Sequence, residues 1–408
     1  MTSLPPSRER QLLWLLALTQ FTVITDFMVM MPLGPQIMQA FTITPAAFAV
    51  AVSAYSICAG LSGLFAATYI DRFDRRKLLL TVYLLFAVSN LICAAAPNYP
   101  LLLMARAFAG LTGGVMGSIV MAIVADVIPQ ERRGAATGTV MTAFSMAAIA
   151  GVPFGIVLGA HLGWSTPFYV LVLVSMLIWG AGMRLVPSLT AHLSQTPPPL
   201  SQALPNLWAL ITLPRHLIAF ALTFVILVSH MLVIPFISPV LVANHGVAPQ
   251  QISWIYMAGG AATLFTSRLI GRLSDRFGKR DVFRFMAGLS TLPLLFLTNL
   301  PDIAFIWMVA FFPLFMICMS GRMIPLQALF TTVPEPSKRG AFLSVNSALQ
   351  SLGSGVGAWL GGLFLSTGPQ GRIEGYNHVG WLAFVLVVFG IIWVTKVKPA
   401  EPPPPNPT

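Results

Sequence analysis

Roughly twelve long apolar stretches divide this chain, and each approaches the ~20 residues that a helix needs to cross the hydrocarbon core of a bilayer. Only 9% of the residues are charged, well below the share of about 25% that is usual in soluble domains. The helical lengths, interrupted by Gly and Pro, favour helices over barrel strands. We therefore predict an all-α membrane protein with spans near residues 11–38, 46–69, 78–96, 101–127, 135–161, 165–186, 215–241, 250–271, 282–299, 303–332, 341–366 and 378–395.

The basic residues mark one side of this predicted membrane protein. The chain carries 23 Lys and Arg against 12 Asp and Glu, and all but three of the basic residues fall on the side of the two termini. Arg372 falls in a loop of the other side, whereas Arg106 and Arg322 fall inside spans. By the positive-inside rule we expect a multi-pass protein of the cell (inner) membrane with both termini in the cytoplasm. The positive charge thus indicates topology and not a nucleic-acid surface.

Several functional classes find no support in the sequence. Cys58, Cys93 and Cys318 lie in apolar runs and offer no disulfide framework. There is no ATP-binding sequence, no spacing of histidines that suits a metal, and no defensible hydrolytic triad. We expect a protein that is not an enzyme, has no cofactor or metal, and binds a small-molecule substrate and protons in the lipid bilayer. We also expect a monomer without a nucleic-acid partner.

The two halves of the chain repeat one another. Asp71 and Asp275 lie in similar basic loops 204 positions apart, and the same offset places Asp26 on His230. Such repeats are typical of transporters that use alternating access. We predict the divisions 1–190 (N-terminal six-helix bundle), 191–214 (cytoplasmic loop), 215–397 (C-terminal six-helix bundle) and 398–408 (cytoplasmic Pro-rich tail).

The basic loops carry a family resemblance. The run GRLSDRFGKR, from Gly271 to Arg280, resembles the loop motif of the major facilitator superfamily, and the first copy departs from it at Ala67 and Asp74. These departures leave open how the first loop turns and which partner its arginines choose. The resemblance implies two pseudo-symmetric six-helix bundles around a central cavity, with these loops as cytoplasmic gates. The implied gate residues are Asp71, Arg72, Arg75, Asp126, Gly271, Asp275, Arg276, Gly278 and Arg280.

Two further motifs lie in the fourth and fifth spans. RAFAG, starting at Arg106, is similar to a motif of proton-coupled members of the superfamily. GVPFG, followed by a further glycine, resembles the antiporter motif of the drug:proton antiporter and sugar-efflux branch. Its residues are Gly151, Pro153, Gly155 and Gly159. Glycines four residues apart let another helix approach closely, although such packing also occurs without any role in transport.

Charged residues inside the spans are the candidates for proton coupling. Burying a charge at bilayer depth costs at least ~3 kcal/mol, so such residues normally serve a function. We expect Asp26 to carry the proton and Arg106 to be the fixed cation that controls its release, with His230 as a second titratable group. Each residue also has a structural alternative. The carboxyl of Asp26 could be hydrogen-bonded by the helix break near Pro32 and Pro35. Arg106 could extend to the headgroups, and His230 could serve only in packing.

A second polar set suggests the substrate cavity. Arg322 lies too deep in its span to reach the headgroups easily, and it is a candidate for binding a polar or anionic substrate or for pairing with Asp26. A structural salt bridge or a clamp on backbone carbonyls is the alternative. The other predicted cavity residues are Asn346, Gln350, Gln327, Met30 and Met146.

The sequence as a whole favours a secondary active transporter. The preferred function is proton-coupled antiport that exports a small apolar or amphipathic compound, either a drug, as in multidrug resistance, or a sugar-like metabolite. The alternative is a symporter or facilitator for a small metabolite anion clamped by Arg322. A receptor, a channel or a lipid flippase on the same scaffold is also compatible with the apolar pattern. The substrate itself does not follow from the sequence.

Overall fold

In the computed structural model of the chain, residues 5–129, 132–190, 193, 200–335 and 338–400 are described. Residues 401–408 of the predicted tail and most of the segment 191–199 lie outside this part of the chain. The first half forms α1 (Pro6–Val29), α2 (Gly34–Phe41), α3 (Pro45–Tyr69), α4 (Arg75–Ala94), α5 (Tyr99–Val127), α6 (Arg133–Met146), α7 (Val152–Leu162) and α8 (Thr166–Leu185).

The second half follows the same plan. After the linker helix α9 (Leu200–Thr212) come α10 (Pro214–Val233), α11 (Ile237–His245), α12 (Pro249–Phe277), α13 (Lys279–Thr298), α14 (Phe305–Gly321), α15 (Met323–Phe330), α16 (Arg339–Leu363) and α17 (Tyr376–Trp393). Two short strands, β1 (Ser366–Thr367) and β2 (Ile373–Glu374), pair antiparallel between α16 and α17.

Four spans consist of two helices each, α1–α2, α6–α7, α10–α11 and α14–α15. Pro32 and Pro35 lie at the first of these breaks, and Pro235 and Pro239 lie at the equivalent break in the second half. Proline lacks the N–H that continues a helix, which explains why both spans break at the same place. The sequence predicts an unbroken tenth span, whereas the structure ends α14 at Gly321 and leaves Arg322 in the break.

The apolar helices account for the predicted membrane spans. Within the described residues, ten helical segments are long and apolar enough to cross a bilayer. The remaining two predicted spans correspond to α12 and α16, which have 29 and 25 residues and are therefore also long enough to cross. Both are less apolar because α12 carries basic residues at its end and α16 carries amides and serines.

The helices pack as two bundles that touch along three seams. Within the halves, α3 packs on α5 and α10 packs on α16; between them, α3 packs on α16, α7 on α12 and α2 on α11. Ser53 Oγ donates to the carbonyl of Gly355 at 2.8 Å across the first seam. Ser238 Oγ donates to the carbonyl of Pro32 at 2.9 Å beside the third.

The contacts between the bundles are unevenly distributed along the membrane normal. We call the side of the two termini the basic side. In the fifth span, α7 lies toward the opposite side and packs on α12, whereas α6 lies toward the basic side, where Thr142, Phe144 and Ser145 are exposed. The contacts of α2 and α7 with the second bundle thus lie opposite the basic side, whereas α6 has no comparable contact with it among the described residues.

Candidate functional site

A buried ion pair lies in the first bundle. Nη1 of Arg106 donates to Oδ1 of Asp26 at 2.6 Å, and the two side chains are 1% and 0% exposed. Arg106 enters about two turns after the start of α5, and Asp26 lies one turn before the end of α1. Arg106 therefore extends inward to the carboxylate and not outward to the headgroups, and Asp26 does not cap the helix break.

The surroundings of this pair are almost entirely apolar. The Arg106 guanidinium carbon lies 4.6 Å from the ring centroid of Tyr55 and 5.8 Å from that of Phe168. Oδ2 of Asp26, Nε of Arg106 and the hydroxyl of Thr25 have no hydrogen-bond partner among the described residues. One carboxylate oxygen thus accepts a hydrogen bond from Arg106, and the other accepts none from the described residues. A proton can attach to this second oxygen without displacing another donor.

A second buried arginine lies in the other bundle. Arg322 is 0% exposed, its Nη1 lies 3.3 Å from Ser290 Oγ, and its Nη2 lies 3.5 Å from Nδ1 of His230. Its Nε has no partner, and no carboxylate lies within 4.0 Å of the guanidinium in the described part of the chain. Arg322 is therefore not paired with Asp26, and its charge is uncompensated in this conformation.

The other residues predicted for the cavity are distributed unevenly. Asn346 is buried and accepts from Thr223 Oγ1 at 2.6 Å, whereas Gln350 and Gln327 are half-buried. Met146 is 37% exposed at the end of α6, but Met30 is 1% exposed and packs in the core near the first helix break. The structure therefore places Met30 in the packing and not on a cavity surface.

The first basic loop is held by ion pairs and hydrogen bonds of its arginines. Arg75 donates from Nη2 to Asp71 Oδ1 at 2.6 Å and from Nε to Asp126 Oδ2 at 3.0 Å, and its Nη1 reaches the carbonyl of Ile70. Arg72 donates to the carbonyl of Thr68 at 3.4 Å. One arginine thus ties the loop to the end of α5.

Asp74, which departs from the loop motif, has a structural role. It is the N-cap of α4 and accepts from the N–H of Arg76 at 3.0 Å. It also accepts from the N–H of Leu189 and the hydroxyl of Ser188, both at 3.0 Å. Partial burial raises the pKa of the carboxyl, but these donors together with the charge of Lys77 outweigh burial and leave the pKa below its ordinary value. The first loop is therefore fastened to the end of the sixth span.

The second basic loop lacks this network. Asp275 and Arg276 are exposed, and the guanidinium of Arg276 lies 5.2 Å from the ring of Phe277. Arg280 donates to the carbonyl of Val397 at 2.5 Å. Arg76, which Arg280 repeats, donates to the carbonyl of Met183 in the same way, so the two loops share this contact but not the ion pairs of Arg75.

The two motif glycines of the second loop differ. Gly278 ends α12 at φ 92°, where a side chain is strained. Gly271 has open space in the direction of a Cβ and no comparable constraint.

The glycines of the fifth span face α1. A Cβ at Gly151, Gly155 or Gly159 would collide with Thr25, Val29 or Leu33, which lie four residues apart along α1 and the break that follows it. Pro153 is buried between them, just after a π-helical turn at Ala147–Gly151. The predicted close approach of a second helix therefore occurs, and that helix is α1, which carries Asp26.

Several contacts of these clusters are not predicted by any sequence motif. The Tyr55 ring over Arg106 and the Ser290 hydroxyl beside Arg322 lie in apolar runs without a distinguishing pattern. Thr223, which bonds to Asn346, repeats Thr19, but Thr19 donates to the carbonyl of Leu15 in its own helix, so the repeat did not predict this bond either. A separate pocket of about 330 Å³ lies on the opposite side, lined by polar residues that include Asn244 and Glu374, and it touches neither arginine.

Comparison with known proteins identifies relatives along the whole chain. The family model described as Major Facilitator Superfamily matches residues 16–224 and 219–408. An uncharacterised MFS-type transporter, YbcL of Bacillus subtilis, is 25% identical over 390 residues, covering 95% of this chain and 97% of its own. A probable sugar efflux transporter of Pasteurella multocida is 24% identical over 396 residues, covering 96% and 94% of the two chains.

Solved structures share the fold. A D-xylose-proton symporter superimposes with a TM-score of 0.73 at 16% identity, covering 95% of this chain and 97% of the other. A bacterial homologue of the human lysosomal transporter Spinster, in an inward-facing and occupied conformation, gives 0.75 at 17% identity, covering 96% and 97%. The predicted fold of two six-helix bundles is thereby confirmed.

Proposed function

The chain belongs to the Major Facilitator Superfamily, and we propose that it is a proton-coupled antiporter that exports a small amphipathic or sugar-like compound. The basic side is the cytoplasmic side in this proposal, as the positive-inside rule favours. The observation that carries the proposal is the enclosed pair of Asp26 and Arg106, in which one carboxylate oxygen has no hydrogen-bond partner among the residues that the structure describes.

Protonation of Asp26 would change the contact between α1 and α5. The ionised carboxylate holds Arg106 by a short charge-assisted bond, whereas a neutral carboxyl would hold it far less strongly. Arg106 remains charged and retains the face of the Tyr55 ring as a partner. One proton therefore switches a strong contact between two helices into a weak one.

A path of close contacts leads from Asp26 to the other bundle. Thr25 and Val29 of α1 lie against Gly151 and Gly155, so a tilt of α1 would change its contact with the fifth span. The α7 part of that span packs on α12 of the second bundle. Protonation of Asp26 can thus alter the contacts between the bundles, which is the step that antiport requires.

The proposed direction of transport and the proposed substrate class are supported by similarity to other proteins. A relative from Pasteurella multocida bears the name probable sugar efflux transporter, and the glycine pattern of the fifth span resembles the antiporter motif. We therefore propose export, with a sugar-like compound as the first candidate and an amphipathic drug as the second. Import of a metabolite anion with a proton is the alternative, and it predicts the opposite response to a pH gradient.

The test uses purified protein in liposomes with an imposed pH gradient. The labelled probes are D-xylose, D-glucose, D-glucuronate and the amphipathic dye ethidium. We expect at least one probe to accumulate in the more acidic compartment, because proton exit drives substrate entry into it. Asp26→Asn should abolish this accumulation, whereas Asp302→Asn, at a side chain that is 84% exposed, should not.

Two results would overturn the proposal. Accumulation in the more alkaline compartment would indicate symport. Undiminished accumulation by the Asp26→Asn variant would show that this carboxyl does not couple transport to protons.

A further inference from the structure

Arg322 is a buried cation without a counter-ion. It is fully buried in the break between α14 and α15, and its polar contacts in the described residues are Ser290 and His230, at 3.3 and 3.5 Å, neither of which carries a negative charge. An unpaired charge of this kind is costly to bury. The first bundle, by contrast, balances Arg106 with Asp26. Among the described residues, Arg322 therefore lacks the carboxylate partner that Arg106 has.

The charge of Arg322 determines which ring nitrogen of His230 carries the proton. Nδ1 of His230 faces the guanidinium at 3.5 Å, which is long for a hydrogen bond but close for a full positive charge. A proton on Nδ1 would be directed at that charge and repelled. The imidazole is therefore neutral, with its lone pair on Nδ1 and its N–H on Nε2.

The free edge of His230 faces interior space. Thr223, Ile226 and Leu227 lie on the same face of α10, at helical spacing from His230, and they are 1%, 0% and 7% exposed. His230 itself is half-buried, and because its neighbours on this face are buried, the face packs within the protein and does not lie against lipid. Its Nε2–H is thus a donor at an internal surface, polarised from behind by Arg322.

We propose that His230 is a substrate-binding residue whose Nε2–H donates to a carboxylate of the substrate, and that Arg322 is the positioning residue that supplies the positive potential. The substrate class is a monoanion, because the site carries a single uncompensated positive charge. This proposal rests on the transport function proposed above and names its substrate class. It replaces the proton-carrying role that the repeat suggests for His230.

The binding test uses matched pairs of charged and neutral probes. D-glucuronate is compared with D-glucose, D-galacturonate with D-galactose, and benzoate with benzyl alcohol, by calorimetry on purified protein in nanodiscs. We expect at least one carboxylate to bind ~10-fold or more tightly than its neutral partner. Equal binding within all three pairs would overturn the proposal.

Substitutions separate the two residues. His230→Gln keeps an acceptor for Arg322 and a donor for the substrate, so it should retain most of the affinity, whereas His230→Leu should lose ~10-fold or more. Arg322→Met should lose the preference for the carboxylate, and Arg322→Lys should recover part of it. The exposed residues His161 and Arg372 supply the controls His161→Leu and Arg372→Met, which should bind as the wild type does.

The pH profile provides a readout that a merely structural role would not change. Arg322 is the charged group that acts on the imidazole among the described residues. Because the imidazole stays neutral, carboxylate binding in an Asp26→Asn background should be constant from about pH 6 to about pH 8. Binding that strengthens as the pH falls through this range would show that His230 acts as imidazolium and would overturn the assignment. Failure of proton coupling with intact carboxylate binding would overturn only the proposed function.

Discussion

Asp26 and His230 occupy equivalent positions in the two halves of the chain, and each faces a buried arginine of its own bundle. Arg106 approaches Asp26 from the end of its span opposite the basic side, whereas Arg322 approaches His230 from the break nearer the basic side. The repeat thus preserves a polar position at mid-membrane but changes its charge. The first bundle holds an ion pair without net charge, whereas the second holds an arginine without a carboxylate partner among the described residues.

The pair of Asp26 and Arg106 predicts a strong interaction between two substitutions. Arg106→Met leaves a buried carboxylate without a partner, and we expect it to lower stability by about 3–5 kcal/mol. The double variant Asp26→Leu/Arg106→Met removes both charges and should recover most of this loss while remaining inactive in transport. Unfolding of the purified variants in detergent measures both effects. A double variant as unstable as Arg106→Met would contradict this account.

The seam between α1 and the fifth span predicts a steric effect of one methyl group. Gly155→Ala brings a Cβ into collision with Val29, and we expect a loss of about 1–3 kcal/mol together with slower transport. The matched control is Gly180→Ala in α8, where open space surrounds the new methyl group and stability should stay equal or rise by up to about 1 kcal/mol. Val29→Ala should rescue the first variant, as thermal unfolding and transport assays would show.

The cap formed by Asp74 predicts a pH dependence of stability at the basic side. Because the folded pKa lies below the unfolded value of 3.8, this contribution is present in full above that value and is lost as pH falls through the folded pKa. Asp74→Ala should therefore cost about 1 kcal/mol at neutral pH, and the cost should shrink toward zero in strong acid. Asp74→Asn, which can still accept, should cost less. Stability curves measured against pH would reveal a constant cost if this account is wrong.

The uneven distribution of contacts between the bundles predicts which positions a water-soluble reagent can reach. In a background with alanine at Cys58, Cys93 and Cys318, Ser145→Cys should react readily with an impermeant maleimide added on the basic side. Ser253→Cys, at a buried position of α12, should react slowly. A compound that brings α6 into contact with the second bundle should slow the labelling of Ser145→Cys. Equal labelling of both positions would contradict the uneven distribution of contacts between the bundles.

The sequence was most informative where a charge lies in an apolar helix. Asp26 and Arg106 could be singled out because buried charges are costly, but the sequence left Arg322 as another possible partner of Asp26, and only the packing of α1 on α5 decides between them. The partners of Arg322 could not be predicted, because Ser290 carries no distinguishing pattern and its position depends on how α13 packs. The break at Arg322 was also missed, since the tenth span reads as continuous.

The second basic loop shows why a repeat does not fix side-chain contacts. In the first half, Asp126 at the end of α5 accepts from Arg75. The position that repeats Asp126 falls at Phe330 or Thr331, neither of which is acidic. Lys279 occupies the position that repeats Arg75, and Arg280 repeats Arg76. Both Arg76 and Arg280 donate to a backbone carbonyl near the end of the last span of their half, Arg76 to Met183 and Arg280 to Val397. The motif is shared, but the ionic partner that completes it is not.

The π-helical turn at Ala147–Gly151 sets the rotational phase of the fifth span. Each residue of an α-helix turns the chain by about 100°, so the wider turn determines which face α7 presents. Deleting one residue within this turn would rotate Gly155 and Gly159 away from α1 and bring bulkier neighbours against Val29 and Leu33. The fit of the two helices therefore depends on an irregularity in the backbone as much as on the small size of the glycines.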